Sequence, residues 1–287
     1  MKISGIAEIN WKYVLVGIVR RHISQKVLFA VMKRRGDANL EEEAPHECLE
    51  MWEKHLKGHG LSLATKTVLE IGSGRYVRFA LQMIAAGVER VITVDPFAVP
   101  INDIAHRNIL LSDCQNLGLD PNDAFSRLEI ISDDFSRLCP PPATSHVDLV
   151  ISNSVLEHAR DPRSVLRSCL FWLKPGGTSY HLIDLRDHNF RSRFPFEMLT
   201  YSDSFWANWL DLSGGFHLNR WRLPDFLCAA REVGFQEVAC EVLSRNESEL
   251  QAIMHRISPR FSAMPKDSLS VLTAAFYGQK PSDDLVP

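Results

Sequence analysis

The sequence predicts an α/β fold, an open and mostly parallel sheet with helices on its faces. Residues 67–75 read Thr-Val-Leu-Glu-Ile-Gly-Ser-Gly-Arg, an apolar run with β-branched members that breaks into glycines and then into a helical stretch. Further apolar runs at 90–95, 127–135, 147–152 and 178–185 alternate with helical stretches, as the crossovers of a parallel sheet require. The glycine turn of the first unit brings bare backbone N–H groups close to a ligand, at the carboxyl end of a strand.

At 287 residues the chain has room for one large domain with additions or for two small ones. Its 45% hydrophobic and 23% charged content is that of a globular protein with ample core. Six cysteines are scattered without a C-x-x-C pair, which excludes a zinc ribbon or disulfide framework and points to a reducing, cytoplasmic setting. Residues 1–36 carry eight Lys/Arg against the single Glu8, so the remainder is acidic, and general nucleic-acid binding is not expected.

Residues 1–60 read as an N-terminal helical extension. Between residues 9 and 35 apolar and basic residues mix, and the longest uncharged apolar run, Tyr13–Val19, is far short of the ~20 residues that span a bilayer. Two readings of this segment stand: a helical cap on the rest of the protein, or an amphipathic basic helix on an anionic membrane surface. Pro45–Gly60 reads as a helix with Leu49, Trp52 and Leu56 on one face. His46, His55 and His59 read as surface residues without ligand spacing.

The core is expected over residues 61–185. Glu70 stands just before Gly72, Ser73 and Gly74, where it suits a cationic ligand better than a pyrophosphate, and the third glycine of the dinucleotide fingerprint is replaced by Val77. The helix after the turn is predicted from Arg75 to Ile84. Asp95 closes the second strand 25 positions after Glu70, where a carboxylate accepts from both ribose hydroxyls of a nucleoside; the alternative is a helix cap before Pro96. A helix over 101–116 leads through Gly118 and Pro121 to the third strand, which ends in Asp133-Asp134. The fourth strand runs into Asn153-Ser154-Val155-Leu156-Glu157-His158, and Asp161-Pro162 starts a helix that Lys174-Pro175-Gly176-Gly177 stops.

Glu70-x-Gly-x-Gly, the strand-end Asp95 and Asp133, Asn-Ser-Val-Leu-Glu-His, and Lys-Pro-Gly-Gly occur in this order across residues 66–185. Together they closely resemble the core of the class I S-adenosylmethionine-dependent methyltransferases, of the small-molecule type. The resemblance implies a Rossmann-like seven-stranded, mostly parallel sheet with flanking helices and an antiparallel final strand. It implies S-adenosyl-L-methionine as cofactor, held by Glu70, Gly72, Ser73, Gly74, Asp95, Pro96, Phe97 against the adenine, Asp133 (preferred to Asp134) near the adenine amino group, and Asn153.

Residues 186–223 break the pattern with many aromatics, among them Phe190, Phe196, Tyr201, Trp206, Trp209 and Trp221, and read as a substrate lid insertion or a satellite core. Residues 224–287 supply a helix, a strand near 235–243, a helix near 247–257 and a last strand near 269–277, with the tail from Lys280 expected to be disordered. Methyl transfer to a hydroxyl needs the acceptor proton removed. His188, oriented by Asp184, is the first candidate base and His158 the second, while His181 in mid-strand reads as a core residue. Strand alternation scatters His181, Asp184, Asp187 and His188, so no metal is expected. Arg220 and Arg222 suit an anionic acceptor. The expected function is O-methylation of a small molecule such as a sugar or glycan precursor. The alternatives are N-methylation or a non-catalytic binding subunit of the same fold.

Overall fold

A computed structural model of the chain describes residues 9–22, 45–138, 147–188, 194–211 and 217–282. The second half of the apolar and basic segment 9–35, and Phe190 of the insertion, lie outside these residues.

Seven strands form one sheet: β1 Thr67–Ile71, β2 Arg90–Val94, β3 Leu128–Ile131, β4 Val147–Asn153, β5 Leu173–Asp184, β6 Gln236–Arg245 and β7 Val271–Gln279. Their spatial order is β3-β2-β1-β4-β5-β7-β6, and only β7 runs against its neighbours. The register pairs Ile71 with Val94 and with Ser152, so β1, β2 and β4 end together and present their following turns at one rim. That rim is where ligands bind in an open α/β sheet.

Helices cover both faces. On one side, leaving aside α1 (Trp11–His22), α2 (Pro45–Gly58), α3 (Arg78–Ala85), α4 (Ile104–Leu117) and α5 (Pro121–Ser126) enclose a core with Trp52, Leu56, Leu81 and Leu110. On the other, α6 (Pro162–Trp172) and α7 (Leu223–Val233) pack Leu166, Trp172, Phe226 and Ala230 against the sheet. His55 and His59 pack toward the Tyr180 ring, and His59 lies 4.4 Å from Tyr277, so they are less superficial than expected.

Several boundaries differ from the sequence reading for local reasons. Val77 takes a left-handed conformation (φ 42°), which delays the helix expected from Arg75 until Arg78. The unexpected α5 is capped by Asp120, whose side chain accepts from Asp123 N, with Pro121 in the first turn. The third strand stops at Ile131 because Asp134 instead caps a short turn, accepting from Ser136 N. Lys174–Gly177 does not end the helix into a loop but lies within β5. A Cβ on Gly177 would stand 2.9 Å from the Lys174 carbonyl oxygen and 3.1 Å from that of Asp148, so the strand passes there only as glycine. Lys280 is also fastened, its ammonium donating to Leu173 O at 2.7 Å, so order extends past the point where the tail was expected to fray.

A third core joins the N-terminal segment to the insertion. The helix α1 (Trp11–His22) buries Tyr13 and Val14 among Phe196, Met198, Leu199, Tyr201, Trp206, Leu210 and Phe261. Gly17 meets Leu210 so closely that a Cβ would lie 2.7 Å from its Cδ2. Tyr13 Oη donates to Asp187 Oδ2 at 2.6 Å, and Arg21 donates to Ala207 O and Asp211 O. Phe196, Tyr201 and Trp206 are therefore satellite-core residues and not a bare wall around a ligand. Trp11, Leu15 and Val19, four apart on the outer face of α1, are exposed. Among the described residues no helix is long and apolar enough to cross a membrane.

Candidate active site

The turn after β1 is built to hold a ligand. Gly72 and Gly74 have φ of 77° and 73°, a region that side-chain-bearing residues rarely adopt. Gly72 is required for a second reason: a Cβ there would lie 2.3 Å from Val155 Cγ2. Gly72 N donates to Val94 O, and Gly74 N to Asp95 Oδ2 at 3.0 Å, so the end of β2 shapes the turn. Asp95 Oδ1 accepts from Phe97 N at 2.7 Å, which leaves lone pairs on both oxygens for further donors. Phe97 is exposed, its ring open to a planar partner, and Pro96 joins it to Asp95.

Glu70 is buried beneath this turn, and burial, with the charge of Asp95 second, pushes its carboxyl up to about 8. Glu70 Oε2 and Ser73 Oγ have no hydrogen-bond partner among the described residues. A buried carboxyl without a donor calls for a cation or a hydrogen-bonding ligand. At the rim of β3, Asp133 and Asp134 are both exposed. Asp134 is committed to Ser136 and Arg137, and Asp133 accepts from Asp134 N. Asn153 is exposed at the end of β4.

Across the rim, the turn Leu156–His158 follows β4, and the chain leaving β5 carries Asp184 and His188. His158 and His188 meet edge to face with ring centres 4.8 Å apart. His188 Nε2 lies 3.4 Å from Asp184 Oδ2, and His158 Nδ1 lies 2.7 Å from His217 O. A ring nitrogen facing a carbonyl oxygen must carry the proton, which leaves Nε2 of His158 as the basic atom. Burial alone would raise the Asp184 carboxyl, but hydrogen bonds from His188 and Arg186 outweigh it and hold it well below the usual carboxylate range. Arg186 grips both oxygens, at 2.9 and 2.8 Å.

The other sequence candidates separate. His181 is buried between Ser152 Oγ (2.7 Å) and Ser179 Oγ (2.6 Å), and burial pushes it down to about 3, so it is a core residue. Asp187 accepts from Tyr13 and from Met198 N. The two arginines assigned to an anionic acceptor are structural. Arg222 is fully buried and donates to Leu185 O at 2.6 Å, Leu269 O at 2.8 Å and Val271 O. Arg220 donates to Met198 O, Tyr201 O and Asp203. Two residues escaped the sequence reading. Glu157 Oε1 accepts from Asp184 N at 3.1 Å, and Asn219 clamps the histidine-bearing turn by donating to Leu156 O and Ala159 O. Each works across a long sequence gap, and only the Leu-Glu-His string marked Glu157.

Residues 19–239 match the family model described as a methyltransferase domain. The chain belongs to this family. Among solved structures, it resembles phosphoethanolamine N-methyltransferase 2 of Haemonchus contortus with 18% identity and a TM-score of 0.52, covering 93% of this chain and 60% of that one. An S-adenosylmethionine-dependent methyltransferase of Mesorhizobium loti aligns over 79% of this chain and 96% of its own, with 14% identity and a TM-score of 0.47. No curated protein matches the sequence. The methyltransferase is an enzyme whose cofactor is S-adenosylmethionine. Its glycine turn, orphaned Glu70 carboxyl and open Phe97 ring fit that group.

Proposed function

We propose that this methyltransferase transfers the methyl group of S-adenosylmethionine to a hydroxyl of a small molecule, of the sugar or glycan-precursor class. The observation that carries the reading is the contact of Gly72 with Val155, because it sets the cofactor turn beside the turn that presents His158. Bound, S-adenosylmethionine supplies a methyl group on a positively charged sulfur, open to in-line displacement. Glu70 would hold the cationic amino-acid part and Asp95 the ribose, Gly72, Ser73, Gly74 and Pro96 would shape the cradle, Phe97, Asp133 and Asp134 would border the adenine, and Asn153 would line the cradle from the end of β4. His188 takes the acceptor proton on Nδ1 while its Nε2 stays with Asp184. His158 packs on its edge as the alternative base. With Arg220 and Arg222 committed to the core, nothing in the reading calls for an anionic acceptor.

Calorimetry with S-adenosylhomocysteine tests the cofactor half. Asp95→Ala removes hydrogen bonds to a charged acceptor, roughly 1.5–3 kcal/mol each at most. It should therefore weaken binding by at least about 10-fold, and equal affinity in both proteins would overturn the assignment. A panel of hydroxyl and amine acceptors, scored by S-adenosylhomocysteine release, tests the other half: turnover confined to amines would refute O-methylation.

The outer stripe of α1, with Lys12 and Arg21 nearby, is the surface a peripheral contact with an anionic bilayer would use. If it does, Leu15→Glu should stop co-sedimentation with phosphatidylserine vesicles while leaving the melting temperature within about 2 °C, as expected for an exposed position. Equal sedimentation of both proteins would exclude it.

A further inference from the structure

We propose that Glu157, His158 and His188 bind a divalent transition-metal ion of the zinc class. One carboxylate oxygen of Glu157 and one ring nitrogen of each histidine lie within 4.8 Å of one another. Donors on a tetrahedral ion at about 2.1 Å stand roughly 3.4 Å apart. Side-chain rotations of about an ångström therefore close the cluster.

The surroundings are those of a built site. Ligating imidazoles characteristically turn their second ring nitrogen to a carboxylate or a backbone carbonyl, which fixes ring orientation and tautomer. Both histidines do so: His188 Nε2 faces Asp184 at 3.4 Å, and His158 Nδ1 faces His217 O at 2.7 Å. Glu157 is buried, and its Oε1 is held by Asp184 N. Asp184 is held in turn by Arg186, and Asn219 fastens the turn that carries Glu157 and His158. Two imidazoles and one carboxylate favour zinc, cobalt or iron over magnesium and calcium, which prefer oxygen ligands. Three protein donors also leave one position open for a further ligand.

The site shares His188 with the proposed proton transfer but does not depend on it. A bound ion occupies the lone pairs that a free imidazole base uses, so the ion-bound cluster and the free base are alternative states of the same residues.

The test uses the full chain, stripped of metal by chelator dialysis and titrated with Co²⁺, whose visible absorption reports low-coordinate nitrogen–oxygen binding, and then with Zn²⁺. One equivalent of Co²⁺ should bind and be displaced by Zn²⁺. Glu157→Gln and His158→Ala should each weaken binding at least 100-fold. Asp184→Asn, which acts through His188, should weaken it about 10- to 100-fold. His59→Ala, remote from the cluster, should bind like wild type. Affinity for S-adenosylhomocysteine, measured on the same samples, reports the fold and the methyltransferase reading separately. Absent Co²⁺ absorption, or equal Co²⁺ affinity in wild type, Glu157→Gln and His158→Ala, would overturn the proposal.

Discussion

His188→Ala should lower kcat for a hydroxyl acceptor by about 10²- to 10⁴-fold, the usual contribution of a positioned base, while leaving S-adenosylhomocysteine affinity unchanged. The expectation rests on the placement of His188 against Asp184 and edge to face with His158. Asp184→Asn should cost less, because it disturbs the orientation of the ring and of Arg186 without removing the base. Turnover followed by S-adenosylhomocysteine release decides the matter. If His188→Ala keeps wild-type kcat while His158→Ala abolishes it, the role passes to His158. If neither changes the rate and a chelator does, proton removal depends on a bound ion.

The second large effect belongs to Glu70 and appears as a pH dependence. Its carboxyl is raised in the folded protein to about 8 by burial first and by Asp95 second, against 4.5 for an ordinary glutamate. The stability it contributes is complete below the ordinary pKa and is lost as pH rises through the folded value. At about 1.4 kcal/mol per pH unit, the cofactor-free protein should lose up to ~5 kcal/mol between pH ~4.5 and ~8 through this group. Glu70→Gln should flatten that slope in chemical denaturation at a series of pH values. Matching slopes would show that Glu70 is ionised throughout. Because a cationic ligand favours the charged form, S-adenosylmethionine should release close to one proton per molecule bound near pH 7. Calorimetry in buffers of different ionisation enthalpy measures it.

The sheet was legible because its signals are local. Val68–Ile71 and Val91–Val94 announce buried strands by composition, and the glycines and Asp95 mark the ligand rim by spacing. What escaped depends on contacts across the chain. Arg222 reads in sequence like a solvated or ligand-binding charge, and only the fold reveals that three carbonyl oxygens, just past the end of β5 and at the entry to β7, surround it. Tyr13 and Phe196 lie 183 positions apart, so no window of sequence could place them in one core. Glu157 was passed over as part of a familiar string, although its carboxylate holds Asp184 N from the neighbouring strand end. The boundary errors at Val77 and Asp134 have a different source: single residues whose backbone or cap geometry ends an element early.

The fastening of Arg222 has a consequence for how acceptor choice can diversify on this scaffold. Its guanidinium joins Leu185 O, where β5 ends, to Leu269 O and Val271 O, where β7 begins, and Arg220 ties the same stretch to Met198 O and Tyr201 O. The chain leaves the sheet after β5 and enters α7 after Arg222, and these two posts are fastened together. Residues between the posts that carry neither the base, the Asn219 clamp nor the third core can then be varied while the strand ends and the cofactor cradle keep their positions. Grafting another acceptor pocket should therefore respect the posts, with Asp184, His188, Asn219 and Arg222 retained.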